Sequence, residues 1–325
     1  MSKCSEMKSL IFIINLFCSA NAFAQQSAVD TEYFCAPCDC KNDGKVFDQP
    51  GICSACGMKL QKVGTFNYEM AAISADGKLI TYKSFKPDNT GRIFYKEIET
   101  TGNTKLVGKG SMPQISFDKN YIAFEGEENK VFLYNIQSDT TIDISPALGG
   151  LQSPAWEPSG DLIFTAGEFP DLGIYRMNLS DRKFELLTPG PGMRYGCKSS
   201  PDGKKIAYRC VQRTKDSTYK KGIAVYDLAT REENFVTTIG EYCTWSPDGK
   251  QLVFHWRGEK YFSIYVVNID GTGLKKIAED KNGDSEMPVW SADGTKLFFQ
   301  TNRRYGNWEI WAMHVDGSDQ KPFIW

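Results

Sequence analysis

A turn signal recurs along most of this chain at nearly constant spacing, and no other feature limits the fold as tightly. Asp76-Gly77, Asp118-Lys119, Ser159-Gly160, Asp202-Gly203, Asp248-Gly249 and Asp293-Gly294 follow one another at intervals of 42, 41, 43, 46 and 45 residues. In five of the six a serine stands two positions ahead: Ser74, Ser116, Ser200, Ser246 and Ser291. Glycine takes positive φ without a steric penalty, and aspartate caps its own backbone, so each signal predicts a tight turn between two strands.

The same plan surrounds every turn. A short strand precedes it, as in Pro154-Ala-Trp156, Cys243-Thr-Trp245 and Pro288-Val-Trp290. A second follows, as in Leu79–Tyr82, Tyr121–Phe124, Lys205–Tyr208, Leu252–Phe254 and Leu297–Phe299. A third comes after a variable loop, as in Ile93–Tyr95, Val131–Tyr134, Ile223–Tyr226 and Ile264–Val266, and a fourth after a polar turn, as in Leu186-Leu187 and Phe235-Val236. β-Branched and aromatic residues suit such half-buried strands. A period in the low forties with four strands per copy predicts a β-propeller, one blade per repeat. Six copies fill residues 65–325, so the expected fold is an all-β, six-bladed β-propeller.

These residues resemble the TolB-like propeller repeat, whose core reads Ser-Pro-Asp-Gly-Lys-x-Ile-Ala-Phe. Ser200–Tyr208 (SPDGKKIAY) and Ser246–Phe254 (SPDGKQLVF) carry the likeness, and the copies at Asp118 and Ser159 are degenerate. The resemblance covers about four fifths of the chain. It implies a scaffold used as an interaction platform, a part of a transport complex or an accessory domain of a peptidase, and it does not choose among them.

The chemistry is concentrated ahead of the repeats. Cys35-Ala-Pro-Cys38-Asp-Cys40 is followed by Cys53-Ser-Ala-Cys56-Gly57-Met58. Two C-x2-C pairs at this separation have metal-ligand spacing, each pair placing two thiolates on one ion from a tight knuckle. The expected ligands are Cys35, Cys38, Cys53 and Cys56, with Cys40 and Met58 as substitutes. Residues 33–62 are too few to bury a core unaided. A structural zinc ion would close that deficit, contributing on the order of 10–16 kcal/mol. The stretch resembles the small heavy-metal-binding domain of bacterial metal-efflux proteins, which reads Tyr-x-Cys-Pro-Met-His-Pro and then Pro-Gly-x-Cys-Pro-x-Cys-Gly-Met-x-Leu. Pro50–Leu60 follows the second half, whereas Cys38 stands where the family has histidine. That substitution shifts the expected ion toward zinc in a zinc-ribbon-like module, with copper as the alternative. Disulfide pairing remains open as well, although five cysteines cannot pair evenly. A redox pair would want a βαβ setting, which Lys41-Asn-Asp-Gly44 does not suggest.

Residues 1–24 read as a secretory signal: Lys3 and Lys8, then the apolar run Leu10–Phe17, then Ala22-Phe23-Ala24. Cleavage after Ala24 is expected, leaving residues 25–32 as a linker, and the mature protein is expected in the periplasm or secreted. No second apolar run is long enough to span a membrane. The formal net charge of -2 offers no bulk attraction to nucleic acid.

Only two histidines occur, His255 and His314, and no G-x-S-x-G elbow. No enzyme is therefore expected. His255 lies at the end of a second strand, with Lys83, Glu125, Thr165, Arg209 and Gln300 as its repeat equivalents. The plain expectation is a set of solvated strand ends. Cys197 and Cys243 read as small buried residues on inner strands. Long loops carry Arg257, Tyr261, Arg303, Arg304, Tyr305 and Trp308, a composition typical of protein-binding hot spots. The reading is an exported, monomeric, non-enzymatic binding protein. Its metal module precedes a propeller whose loop face docks a protein or cell-envelope component. The alternatives are a metal-trafficking accessory of an efflux system and a glycan- or peptide-processing enzyme.

Overall fold

The computed structural model describes residues 33–34, 46–47, 49–57, 59–62, 67–85, 91–98, 104–145, 152–188, 190–214, 216, 218–304 and 306–323. The signal and linker expected over residues 1–32 lie outside these residues, as do Cys35, Cys38, Cys40, Met58 and Tyr305. The chain divides into two compact units, Met1–Thr65 and Phe66–Trp325.

The first unit holds a small antiparallel sheet. Its central strand Tyr33–Phe34 pairs with Val46–Phe47 on one side and Gln61–Lys62 on the other. Among the described residues its core is Cys53 and Leu60, with Tyr33, Phe47 and Ala55 packed against them.

The second unit is built of antiparallel four-stranded meanders, and the one helical element among the described residues is the 3-10 turn Glu127–Asn129. Repeats one, two, five and six each form a separate four-stranded sheet. Their inner strands are Tyr68–Ile73, Ser111–Ile115, Glu241–Trp245 and Ser285–Trp290. Six separate sheets were expected, and here the structure differs. Repeats three and four, with inner strands Gln152–Trp156 and Met193–Ser199, share one eight-stranded sheet. The join is a single parallel pair, Leu172 with Met193, supported by the Leu172 N–H on the Gly192 carbonyl at 3.0 Å. Asp171 Oδ1 also accepts the Gly192 N–H at 2.7 Å.

The turn chemistry follows from the sequence. In the repeat-one turn, Ser74 Oγ donates to Asp76 Oδ1 at 2.7 Å and itself accepts the Leu79 N–H at 2.9 Å. The same pair of bonds recurs at Ser116, Ser200, Ser246 and Ser291. Where repeat two lacks the glycine, Lys119 takes the left-handed place at φ 61, and its ammonium reaches back to Asp76 Oδ2 at 2.5 Å.

Six residues ahead of each turn position the inner strand bulges. Met70, Met112, Ser153, Gly196, Tyr242 and Met287 all have φ between 45 and 67. The register of every inner strand against its second strand shifts at this point. Five of the six are not glycine, although the left-handed region costs an L-residue about 1–2 kcal/mol. A bulge kinks the strand and turns one backbone N–H away from the ladder. Three of these N–H groups find an acceptor on the preceding repeat. Met287 N donates to His255 Nδ1 at 3.1 Å, Met70 N to Gln300 Oε1 at 2.8 Å, and Ser153 N to Glu125 Oε1. The Met70 bond joins the last repeat to the first.

Hydrophobic burial follows the same circular order. Six clusters form the core, each drawn from two neighbouring repeats, and Tyr68, Ala71, Ile80 and Tyr82 of repeat one meet Phe298, Ile310 and Ala312 of repeat six. Phe164, Tyr208, Phe254 and Phe299 are fully buried. Each such side chain contributes roughly 1.5–3 kcal/mol. Every sheet uses strands consecutive in sequence. The junction of repeats one and six is closed by this apolar contact and by side-chain and loop hydrogen bonds, Tyr68 N to the Trp308 carbonyl at 2.8 Å and Trp308 N to Asn67 Oδ1 at 2.8 Å.

Candidate functional site

In the metal module, two of the four expected ligands fall on described residues. Cys53 and Cys56 bracket a tight turn closed by the Gly57 N–H on the Cys53 carbonyl at 2.8 Å. Gly57 takes φ 76 there, which explains the glycine after the second cysteine. A second bond, Leu60 N to the Gly51 carbonyl at 2.8 Å, and the bridge between Ile52 and Lys59 hold the arms of the loop together. Cys53 is buried against Leu60, whereas Cys56 is exposed. The Ala55 N–H donates to Cys53 Sγ at 3.4 Å. An amide aimed at sulfur stabilises thiolate, the form that binds metal. The donor chemistry of this turn therefore fits a thiophilic ion. Among the described residues no group of three or more Cys, His, Asp or Glu side chains stands at metal-binding distance.

On the propeller, the structure separates the expected partner-binding residues into two kinds. Arg257 is exposed, its guanidinium 5.3 Å from the Phe262 ring, and Tyr261 lies under the Lys260 ammonium at 4.8 Å. Arg303 is not a surface group. It donates to Gln320 Oε1 at 2.6 Å, Ser285 Oγ at 2.9 Å and Thr301 Oγ1 at 3.0 Å, pairs with Asp280 at 3.3 Å, and lies 4.8 Å from the Trp311 ring. Arg304 forks onto both oxygens of Glu309 at 2.9 and 3.1 Å. Trp308 sits at the junction with repeat one through its backbone. These three belong to the framework of repeat six and its closure.

The polar strand ends are also not solvated. Thr165, Arg209, His255 and Gln300 are buried. His255 and Gln300 each accept the bulge N–H of the next repeat, which makes them junction groups. Burial pushes the His255 imidazole down to about 3, so it stays neutral and keeps Nδ1 as an acceptor for Met287. Arg209 donates to the Gly240 carbonyl at 2.8 Å and stacks over Trp256 at 5.2 Å. Glu286 is pushed up to about 8 by burial and by the carboxylates of Asp284, Glu69 and Glu241, against the hydrogen bond from Gln300. Burial raises Glu69 to about 6.

Cys197, Cys210 and Cys243 are buried and not disulfide-bonded, and burial pushes each thiol up to about 12. Inside the ring, a cavity is lined by residues from all six inner strands, among them Met70, Met112, Ser153, Lys198, Tyr242 and Met287. In the sequence the signal for Lys198 is its place four residues ahead of the turn position, where the other repeats carry the uncharged Ala72, Gln114, Ala155, Thr244 and Val289.

Comparison with known proteins gives two family matches. Residues 198–325 match a model described as the TolB beta propeller domain, and residues 33–63 match one described as the heavy metal binding domain. The chain is 35% identical over 74 residues to an uncharacterized protein of Agrobacterium fabrum, of which it covers 25% while using 23% of its own length. It is 32% identical over 160 residues to a Sulfurisphaera tokodaii protein assigned as the N-terminal subunit of a Tricorn-like protease, covering 80% of that protein and 42% of itself. Its fold is similar to the crystal structure of TolB from Acinetobacter baumannii, with a TM-score of 0.58 at 21% identity, over 78% of this chain and 62% of that one. The chain thus spans a quarter of the first relative and most of the second. The repeats, the propeller sheets and these likenesses agree that the chain carries a TolB-like β-propeller, its residues 198–325 matching that domain family.

Proposed function

We propose that this protein is an exported binding protein in which a zinc-loaded cysteine module is joined to a six-bladed, non-enzymatic propeller platform. A TolB-type propeller with a heavy-metal-binding segment fits a binding or platform role. The observation that carries the metal assignment is the Cys53–Cys56 turn, with its amide directed at Cys53 Sγ. Cys35, Cys38, Cys53 and Cys56 would hold the ion, and its contribution would be a cross-link for a segment with almost no core of its own. Counting the eight-stranded sheet as two blades is supported by its single joining pair and by the six bulges. Export is supported by the signal-like residues 1–24; no helix among the described residues is long and apolar enough to cross a membrane. Arg257 and Tyr261 are the accessible members of the docking set, directed at a protein or envelope component.

Native mass spectrometry tests the metal reading. One zinc ion per chain is expected, absent from the Cys53→Ser/Cys56→Ser variant. A metal-free protein lighter by two hydrogens per bridge would overturn it in favour of disulfides. The exposure of Cys56 favours a second reading, in which the ion, zinc or copper, is handed on to an efflux system. Rapid loss to a chelator would support that transfer, and slow loss the structural role.

A further inference from the structure

The cavity inside the ring has an unusual charge balance. Of its lining residues only Lys198 is ionic; the others include Met70, Met112, Met287, Tyr242, Pro154 and Pro288. The Lys198 ammonium donates to Gln114 Oε1 at 2.7 Å, a neutral acceptor from repeat two. Among the described residues no carboxylate oxygen lies within 4.0 Å of it. The carboxylate that acts on it from a distance, Glu125, is already held by the Ser153 N–H and by Ser111 Oγ at 3.1 Å. The flanking thiols Cys197 and Cys243 are kept protonated by burial and supply no counter-charge. Desolvation accordingly lowers Lys198 to about 8.

A half-buried cation without a counter-ion in reach carries a desolvation cost, and an anion entering the cavity would offset it. The lining selects further. Three thioethers, two prolines and a tyrosine favour an apolar body over a sugar or a nucleotide. The enclosed space is about 40 Å3 and opens to solvent, room for a head group at Lys198 with a short chain running out along the lining. We propose that the channel binds a small amphiphilic carboxylate, its head group on Lys198 and its apolar body against Met70, Met112, Met287 and Tyr242. This site is independent of the metal module.

Octanoate is the probe, titrated calorimetrically into the full chain. Saturable binding to one site is expected, with octan-1-ol weaker by at least about tenfold and octylamine silent. The Lys198→Met variant keeps the apolar bulk and should lose about tenfold or more in affinity, whereas Lys198→Arg should retain binding. No saturation by about 10 mM, equal affinity for octanoate and octylamine, or unchanged binding in a folded Lys198→Met protein would each overturn the proposal. If Lys198→Met fails to melt cooperatively, the three probes on the unaltered protein decide the matter alone.

Discussion

Arg303 shows how a side chain read as a surface contact can be part of the framework. Its guanidinium joins the loop after the second strand of repeat six to Ser285, Gln320 and Asp280. Arg303→Ala should cost about 2–4 kcal/mol, because it strands buried partners along with the carboxylate. Arg257→Ala should stay within about 0.5 kcal/mol. Urea unfolding of both variants checks this, and equal midpoints would mean that Arg303 carries no structural weight. His255, expected as a solvated strand end, is likewise a buried junction group. A polar residue at a strand end looks the same in sequence whether it meets water or the next repeat. Only the register, which sets Glu241 opposite His255 and leaves the Met287 N–H exposed beside it, distinguishes the two. The tight turn at Cys53–Cys56, by contrast, was legible because the cysteine spacing and the following glycine are local signals.

At the scale of elements, the turns and strand order could be read directly and the bulges could not. Asp-Gly chemistry is written in consecutive residues, whereas a left-handed Met70 or Tyr242 violates the local preference and is imposed by the ring. The join between repeats three and four was hidden for a related reason. It depends on the backbone at Gly192, with φ 109, where an added Cβ would lie 2.5 Å from the Val211 carbonyl. Gly192→Ala should therefore cost about 1–3 kcal/mol and release the Leu172–Met193 pair. Hydrogen exchange at the Leu172 amide, which now donates to the Gly192 carbonyl, should accelerate while the Met287 amide stays protected. Unaltered Leu172 exchange would show that the eight-stranded sheet does not need this contact.

For the propeller unit as a whole, the period of the repeat foretold a ring, and the way the ring closes was not in the sequence. Closure rests on apolar contact between repeats six and one, and near it lies a group of carboxylates from repeats five, six and one. Glu286 is held at about 8 and Glu69 at about 6, and Glu241 is also raised by burial. A raised carboxylate binds its proton more tightly in the folded state than in the unfolded chain. Between its ordinary value of 4.5 and about 8, Glu286 therefore lowers stability as pH rises. The turn aspartates Asp118, Asp202 and Asp248 are shifted the other way by their serine and backbone hydrogen bonds. Their contribution is lost only as pH falls below the usual carboxylate range. Glu286→Gln keeps an acceptor for Gln300 and removes the titration. Its stability should exceed that of the unaltered protein by an amount that is near zero at pH 4 and reaches on the order of 1–3 kcal/mol by pH 9. Urea unfolding across that range measures the difference. Parallel curves would mean that Glu286 titrates as an ordinary carboxylate and that the closure carries no buried charge.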